Sequence, residues 1–423
     1  MDRARGNGEA PVVIVGAGIV GIAGALYLQR EGFRVLVLDP RGPGEATSFG
    51  NAGCLNGSSV VPMSMPGMAR NVPRWLLDPE GPLTIRLRYL PRLAPWLWRF
   101  LRAGTPERVR DQARALRALL GPTVDTYRDL AREAGAAQLI QHQGHLVAYR
   151  SEASFAKDLD AMALRRANGV VVDDLGADEL RQLDPNLSRD YVRGRLIGEN
   201  GHVTDPGGLV TRLAEAVRQN GGTILAERAE AFAAEGGRVT GVRTDRGLHP
   251  ASHVVIAAGA WSKPLAAGLG DVVPLDTERG YHVVLKDPEL RPRLPTLSAD
   301  DKFIATPMDE GIRFAGTVEF AGLDAAPDWR CADLLLRQGL RMYPGLPRQV
   351  PEERLSRWMG FRPSLPDSLP VIGPATRFAN VFYGFGHGHI GLAAGAPTGR
   401  ILAALVAGRV PGLDLAPFRV DRF

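Results

Sequence analysis

The segment VVIVGAGIVG, residues 12–21, constrains the fold of this chain more than any other. Its first four residues are β-branched and predict a buried parallel strand. Gly16, Gly18 and Gly21 follow in the spacing G-x-G-x-x-G. In that spacing the first glycine permits a tight turn, the second lets the backbone approach a pyrophosphate, and the third allows a helix to pack closely on the strand. The segment therefore predicts the start of a nucleotide-binding fold.

The residues that follow complete a βαβ unit. An Ala- and Leu-rich stretch predicts a helix up to Gly32, and FRVLVLD predicts a second strand that ends in Asp39. The N–H groups and dipole at the helix start favour phosphate, and an acid about 20 residues further on can accept hydrogen bonds from ribose hydroxyls. An acid here argues against a 2′-phosphate but does not separate NAD from FAD. The alternative is a glycine-rich turn that binds nothing.

Length and composition narrow the class of protein. A chain of 423 residues predicts two domains. The net charge is +5, and we find no nucleic-acid-binding motif. Cys54 and Cys331 lie far apart, which excludes a disulfide framework or zinc spacing and fits a reducing cytoplasm. Glycines interrupt the first apolar run, so we do not expect it to be a membrane anchor.

Two later segments extend the nucleotide domain. The loop RGPGEATSFGNAGCLNGSS, residues 41–59, is rich in Gly, Ser, Thr and Asn and could wrap a pyrophosphate. The segment ASHVVIAAGAWS, residues 251–262, predicts another strand that ends where the backbone approaches a ligand. We therefore predict a nucleotide domain in three pieces, 10–60, 195–275 and 355–423, and a second domain formed by 61–194 and 276–354.

Seven motifs together resemble the FAD-dependent D-amino-acid oxidase/dehydrogenase superfamily, and within it the bacterial D-amino-acid dehydrogenases. They are VGAGIVG, TSFGNAG, PLTIRLRYLPRLAPWLWRFLRA, GHVTDPGGL, AAGAWS, GFRPSLPDSLPVIG and GHGHIGL. The resemblance implies an α/β fold, with a Rossmann-like FAD-binding domain and an inserted α+β substrate-binding domain built on a mixed or antiparallel sheet. Cys54 departs from the small or polar residue expected at its position.

The resemblance also implies which residues contact FAD. Residues 48–55 are expected along the flavin and its pyrophosphate, Gly259 and Trp261 at its border, and residues 386–391 at the isoalloxazine ring. No cysteine or histidine matches a known covalent attachment point, so we expect noncovalent FAD. The expected cofactor-binding residues are Gly16, Gly18, Val20, Gly21, Asp39, Pro40, Arg41, Ser48, Asn51, Ala52, Gly53, Leu55, Gly259, Trp261, Gly386, His387, Gly388, His389, Ile390 and Gly391.

The glycine-rich segment FYGFGHGHIG, residues 382–391, joins a predicted strand to an Ala-rich helix. Its N–H groups would stabilise an anionic reduced flavin by about 1 kcal/mol, and the glycines would let the main chain reach the ring edge. His387 and His389 could instead form a metal pair, but no acid or cysteine stands nearby, and we predict no metal. We expect His389 to line the substrate pocket. The alternative for either histidine is a helix cap or a solvent-exposed side chain.

Two residues are candidates for substrate binding besides His389. Arg362, in the G-x-R-P motif, offers a rigid fork that binds a carboxylate through two parallel bonds. Its alternative is a surface salt bridge. Tyr281, in the predicted strand TERGYHVVL, could contact the carboxylate or amine, and its alternative is a half-buried strand tyrosine. Hydride transfer from Cα to flavin N5 needs alignment more than side-chain chemistry, so we expect no essential acid or base.

Residues 85–103 mix Arg with Trp, Leu and Phe, which suits either a membrane interface or an amphipathic cover on the substrate domain. A membrane face would fit electron transfer to a quinone or another carrier, in a cytoplasmic enzyme peripheral to the inner face of the membrane. The predicted function is oxidative deamination of D-amino acids to 2-oxo acids. Alternatives are an oxygen-using glycine/sarcosine-type oxidase, a D-hydroxyproline dehydrogenase that forms a cyclic imine, and a dinucleotide-binding regulatory protein.

Overall fold

The computed structural model describes residues 10–68 and 83–423. Its strands, in chain order, are β1 (Val12–Val15), β2 (Val35–Leu38), β3 (Cys54–Leu55), β4 (Leu83–Ile85), β5 (Ile140–Gln141), β6 (His145–Tyr149), β7 (Asp173–Leu175), β8 (Arg193–Ile197), β9 (Gly201–Val203), β10 (Thr223–Leu225), β11 (Ala229–Glu235), β12 (Arg238–Thr244), β13 (Leu248–Pro250), β14 (His253–Ile256), β15 (Asp276–Lys286), β16 (Thr296–Ser298), β17 (Phe303–Met308), β18 (Gly311–Phe320), β19 (Leu355–Ser364), β20 (Val371–Pro374) and β21 (Val381–Phe385).

The α-helices, in chain order, are α1 (Ile19–Arg30), α2 (Leu90–Ala103), α3 (Pro106–Leu120), α4 (Thr123–Glu133), α5 (Glu152–Lys157), α6 (Leu159–Ala167), α7 (Ala177–Leu183), α8 (Pro206–Gln219), α9 (Ser262–Gly268), α10 (Arg330–Met342) and α11 (Gly391–Val406). Short 3-10 turns at Gly259–Trp261 and Gly388–Ile390 precede α9 and α11.

A six-stranded sheet holds the nucleotide-binding motif. Its order is β10-β2-β1-β14-β21-β20, with β20 antiparallel and the other five strands parallel. Strands β1 and β2 are buried along their whole length, which explains their unbroken Val, Ile and Leu. The predicted βαβ unit and the predicted strands near residues 254 and 383 are confirmed, in one sheet.

Helices α1 and α11 pack against each other under this sheet. A Cβ on Gly399 would lie only 2.6 Å from the backbone N of Gly24, so the two helices approach backbone to backbone. Among the described residues, one helical stretch, Gly388–Val406, has the length and hydropathy of a membrane span, and 72% of it is buried inside the protein. That burial is the pattern of a core helix.

The second large sheet is mixed and has nine strands. Its order is β19-β15-β18-β17-β16-β6-β8-β7, and β4 pairs with β18. The core on one side is formed with α10, where Phe303, Phe314 and Leu335 pack together. Strands β8 and β19 belong to this sheet because they pair with β6 and β15. The last three residues of β8 and the whole of β19 fall within the predicted nucleotide pieces 195–275 and 355–423. Residues 69–82 of the predicted second domain lie outside the described residues.

Candidate active site

One cavity of about 1390 Å³ runs from the glycine motif of the first sheet to the open face of the second. Its walls come from both sheets, from the loop after β2 and from helix α2. Ligand sites in proteins usually occupy about 300–1000 Å³, so the cavity has room for a large cofactor and a small substrate together. The expected cofactor-binding residues that line it are Gly16, Gly18, Val20, Asp39, Pro40, Arg41, Ser48, Asn51, Ala52, Gly259, Trp261, His387, Gly388, His389, Ile390 and Gly391.

The glycine turn before α1 forms one end of the cavity. Gly16 has φ +113°, and a Cβ there would lie 2.4 Å from the carbonyl oxygen of Ala257. Both facts exclude a side chain at this position. Ser48 Oγ accepts a hydrogen bond from Ile19 N at 3.1 Å, so the loop after β2 contacts the helix start directly. The turn and its helix dipole form a cradle suited to a pyrophosphate.

Asp39 and Arg41 lie beside this turn. The Asp39 carboxylate accepts hydrogen bonds from Ala17 N and Arg41 N, both at 2.9 Å. The Arg41 guanidinium lies over the Trp261 ring, 4.2 Å from its centroid. The acid after β2, the arginine and the tryptophan thus meet at one end of the cavity, as a site for a ribose and a flat base requires.

The loop after β2 is attached to the second sheet. Thr47 Oγ1 donates to Phe361 O at 2.8 Å, and Arg313 donates to the carbonyl oxygen of Asn51. A Cβ on Gly50 would lie 2.1 Å from the Trp358 indole, so only glycine fits there. These contacts hold the loop between the two sheets, along the middle of the cavity.

Four of the expected cofactor-binding residues lie behind the cavity wall. A Cβ on Gly21 would lie 1.9 Å from Gly16 O, which makes its role helix packing. Leu55 is fully buried in the core beside α1. Gly53 has φ +80° and donates to Asn51 Oδ1, and Gly386 has φ +84°. These residues shape the loops that line the cavity.

The glycine loop before α11 forms the middle of the opposite wall. The predicted strand and helix on either side of it are β21 and α11. His387 is buried, and its Nε2 lies 3.0 Å from Thr398 Oγ1 within the helix it precedes. Burial lowers the pKa of His387 to about 3, so the ring is neutral. The His387 side chain makes no capping hydrogen bond and is not exposed to solvent, so neither alternative describes it. No group of metal-ligating residues is found in the described parts of the chain.

His389 faces the cavity, where its side chain is exposed to the enclosed space. The surrounding walls lower its pKa to about 4, and the positive charge of Arg362 adds to this effect. The imidazole is therefore uncharged at neutral pH and can donate or accept a hydrogen bond at the cavity surface.

Arg362 lies on the cavity wall of β19 and forms no ion pair with any described residue. Its Nη1 donates to Thr317 O at 2.8 Å and its Nη2 to Gly316 O at 3.4 Å. The guanidinium covers Gly280, where a Cβ would lie 2.3 Å from Cζ. Thr317 has φ +59°, a conformation that is strained for a β-branched residue. Backbone carbonyls thus fix a partly buried cation that retains capacity for an anion.

Tyr281 borders the cavity, but its hydroxyl is engaged elsewhere. It donates to Glu319 Oε2 at 2.6 Å and accepts from Asp328 N at 2.8 Å. Its ring packs in the core beside Phe303 and Phe314. The alternative, a half-buried strand tyrosine, comes closer, but Tyr281 is buried more deeply than that, since only 1% of the residue is exposed.

Sequence reasoning missed Glu278, whose carboxyl faces the cavity from β15. It lies directly opposite Arg362 in the pairing of β15 with β19 and is 4% exposed. Ser364 Oγ donates to its Oε1 at 2.6 Å. Burial raises the pKa of Glu278, while Ser364 and Arg362 act in the opposite direction. Glu278 and Tyr281 are three residues apart, so a regular strand places them on opposite faces. An inward-facing Tyr281 therefore gave no signal for Glu278.

Helix α2 closes the cavity above Arg362. Trp96 is buried, donates from Nε1 to Ser364 O at 3.3 Å and stacks on Phe100 with ring centroids 5.2 Å apart. Leu97 and Phe100 line the cavity, while Trp98 on the opposite side of the helix is 58% exposed. One alternative for residues 85–103 was an amphipathic cover on the substrate domain. Helix α2 forms such a cover with one face and leaves its other face exposed.

These residues fit FAD on structural grounds. The Gly16 turn leaves no room for a side chain, the starts of α1 and α11 both border the cavity, and the wall runs continuously between them. Anionic pyrophosphate suits the first helix start, and an electron-rich ring edge suits the second.

Comparison with known proteins agrees. The family model described as FAD dependent oxidoreductase matches residues 11–405. A D-amino-acid oxidase of Bradyrhizobium diazoefficiens is 44% identical over 97% of this chain and 98% of its own. A D-amino acid dehydrogenase of Granulibacter bethesdensis is 31% identical over 97% of this chain and 99% of its own length. The glycine oxidase structure from Geobacillus kaustophilus superposes with a TM-score of 0.75 at 21% identity, and the match covers 98% of this chain and 99% of that structure. The chain therefore belongs to the FAD-dependent oxidoreductase family, which includes D-amino-acid oxidases and dehydrogenases by name.

Proposed function

We propose that this enzyme oxidises D-amino acids, with noncovalently bound FAD, to imino acids that water converts to 2-oxo acids and ammonia. The observation that carries the proposal is the fixed guanidinium of Arg362, which is held by two carbonyls and faces the cavity without an ion-pair partner in the described parts of the chain. The 44% and 31% identical relatives, named for D-amino acids, support the same substrate class.

Each group on the wall has a role in this reaction. Arg362 binds the substrate carboxylate through two parallel bonds and so fixes Cα over the cavity. Trp96 and Phe100 cover the site and exclude water. Neutral His389 contributes a hydrogen bond without adding charge. FAD, when bound, supplies the acceptor for the hydride from Cα.

The electron acceptor is the second part of the proposal, and we propose a quinone or another carrier. The exposed face of α2 supports it, because the helix carries the exposed arginines Arg92, Arg99 and Arg102 and no acid. Trp98 on the helix and Leu87 in the turn before it are exposed, and Arg102 lies over the Trp98 ring. This composition suits the surface of an anionic membrane. We accordingly propose a cytoplasmic enzyme peripheral to the inner face of the cell membrane.

A second candidate is an oxidase that passes electrons to oxygen, which the name of the 44% identical relative favours. Anaerobic reduction of the bound flavin by a panel of D- and L-amino acids, glycine, sarcosine and D-hydroxyproline tests the substrate class. Reduction by D-amino acids and not by their L-enantiomers supports the proposal. Reduction by none of the panel, or a protein that stays colourless with added FAD, contradicts it.

Re-oxidation of the reduced enzyme separates the two acceptors. Fast re-oxidation by a soluble quinone with little hydrogen peroxide supports the dehydrogenase, and rapid peroxide release in air supports the oxidase. Flotation with anionic vesicles tests the membrane face. We expect Trp98→Ser with Leu87→Ser to reduce flotation, and equal flotation of this variant and the wild type contradicts the membrane proposal.

A further inference from the structure

The cavity wall carries two opposite charges side by side. Glu278 and Arg362 are directly paired residues of β15 and β19 and both line the cavity. They form no ion pair in the structure, since Glu278 is bonded by Ser364 and Arg362 by the carbonyls of residues 316 and 317. The wall therefore presents a separate anion and cation, which is the complement of a zwitterion.

Glu278 is under-satisfied for a buried carboxylate. Among the described residues only Ser364 hydrogen-bonds it, whereas buried carboxylates normally gain several donors or a cation. Its second oxygen is free for a ligand donor. Arg362 on the paired strand acts on Glu278 through its charge without a hydrogen bond. A substrate ammonium would supply the hydrogen-bonded cation that the described residues do not.

The groups packed around Glu278 do not take that role. Asp276 on the same strand is an acid and raises the pKa of Glu278, as burial does. Burial lowers the pKa of the two loop histidines to about 3 and about 4, so they add no charge at neutral pH. The charged groups that act on Glu278 are Asp276 on its own strand and Arg362 on β19, and His387 and His389 line the same cavity from the glycine loop.

We propose that Glu278 binds the ammonium group of the amino acid whose carboxylate is held by Arg362, and accepts one proton from it. The N–H bond breaks, its electron pair stays on nitrogen as the lone pair, and Glu278 becomes a neutral carboxylic acid. The neutral amine that results is the form from which hydride can leave Cα. This inference rests on the proposed function, and it replaces the expectation that no acid or base is needed.

The experiment is Glu278→Gln in the FAD-loaded enzyme. We compare the best D-amino acid of the panel with the carboxylic acid that has hydrogen in place of its amino group. At pH 7 the kcat/KM for the amino acid should fall about 100-fold, the usual contribution of a general base, and should recover as the pH rises and solution supplies neutral amine. The inhibition constant of the deaminated acid should stay constant or improve, because Arg362 is retained.

A role of Glu278 as a mere counter-ion for Arg362 predicts something else. Both ligands would then change together and the pH profile would keep its wild-type shape, and this result overturns the inference. A wild-type enzyme that no D-amino acid reduces contradicts the proposed function instead, so the two failures are distinguishable.

Ser364→Ala provides a second variant if Glu278→Gln does not bind FAD. It keeps the acid but removes the donor that favours the ionised form. The rise of kcat/KM with pH, which follows ionisation of Glu278, should then shift to higher pH. An unshifted profile in this variant contradicts the proton-acceptor role.

Discussion

The two ends of the cavity are built by different means. The nucleotide end uses backbone from turns that are continuous in sequence, as at Gly16 and at Asp39 with its two N–H donors. The substrate end uses side chains of Trp96, Glu278 and Arg362, which three distant segments bring together. Adding a side chain at the nucleotide end should abolish cofactor binding altogether. Removing one side chain at the substrate end should remove only the contact which that side chain makes. The variants below test this difference.

The largest effect is expected for Gly16→Ala. The new Cβ would lie 2.4 Å from Ala257 O at φ +113°, so the turn would have to move. We expect the purified protein to lose FAD completely, measured by its flavin absorbance. Gly24→Ala is the matched control on the same helix, because its Cβ would lie 3.8 Å from the nearest atom, and it should stay yellow. A yellow Gly16→Ala variant would show that this turn is not a backbone cradle.

Arg362→Ala should leave FAD in place and remove substrate binding. Two charge-assisted hydrogen bonds are lost, which is about 4 kcal/mol or roughly 1000-fold in kcat/KM, mainly through KM. Arg362→Lys should not restore it, since the carbonyls of residues 316 and 317 are spaced for a fork. A near-normal KM in either variant, measured by anaerobic flavin reduction, removes Arg362 from the site.

Trp96 and Trp98 offer a comparison within one helix. Trp96→Ala removes a buried indole and its bond to Ser364, which should cost about 3 kcal/mol of unfolding free energy and raise KM for bulky apolar substrates. Trp98→Ala should change stability by less than about 0.5 kcal/mol, because its side chain is exposed. Chemical denaturation of both variants measures this, and equal losses would mean that α2 does not cover the site as described.

His387 should make the protein acid-sensitive at the junction of the two ends, where its backbone bridges Ser364. The unfolded chain takes up a proton below pH 6.5, but burial lowers the pKa of folded His387 to about 3. Stability is therefore full above pH 6.5 and is lost as pH falls, by up to about 1.4 kcal/mol per pH unit for one such group. The free energy of unfolding, measured by chemical denaturation at pH 7.5 and at pH 5.5, should differ less between the two pH values in His387→Gln than in the wild type. An unchanged difference would contradict the assignment.

Sequence predicted the nucleotide end well because glycine spacing and strand pattern act locally. The turn at Gly16, the strand before Asp39 and the strand and helix around His387 all follow from residues near each other. The substrate end depends on register. Tyr281 and Glu278 are three residues apart on one strand, and the sequence does not state which face of β15 meets the cavity. Arg362 was found only because its motif resembles that of a family.

The same limit applies to α2. Its mixture of Arg, Trp and Leu indicates two faces, but which face meets protein follows from the position of Ser364, more than 260 residues away. The strained conformation of Thr317 has no sequence signal either, because a β-branched residue predicts an extended strand there.

The contact between Gly24 and Gly399 fixes a length. The two helices that meet there both begin at the cavity, at Ile19 and Gly391, so their crossing point determines the distance between the two helix starts. Protein packing alone sets this distance, so a cofactor that contacts both helix starts must match a spacing that is already fixed. A methyl group at Gly399 would not reach the cavity, but it would push α1 and α11 apart. We expect that change to weaken binding of a cofactor that contacts both helix starts.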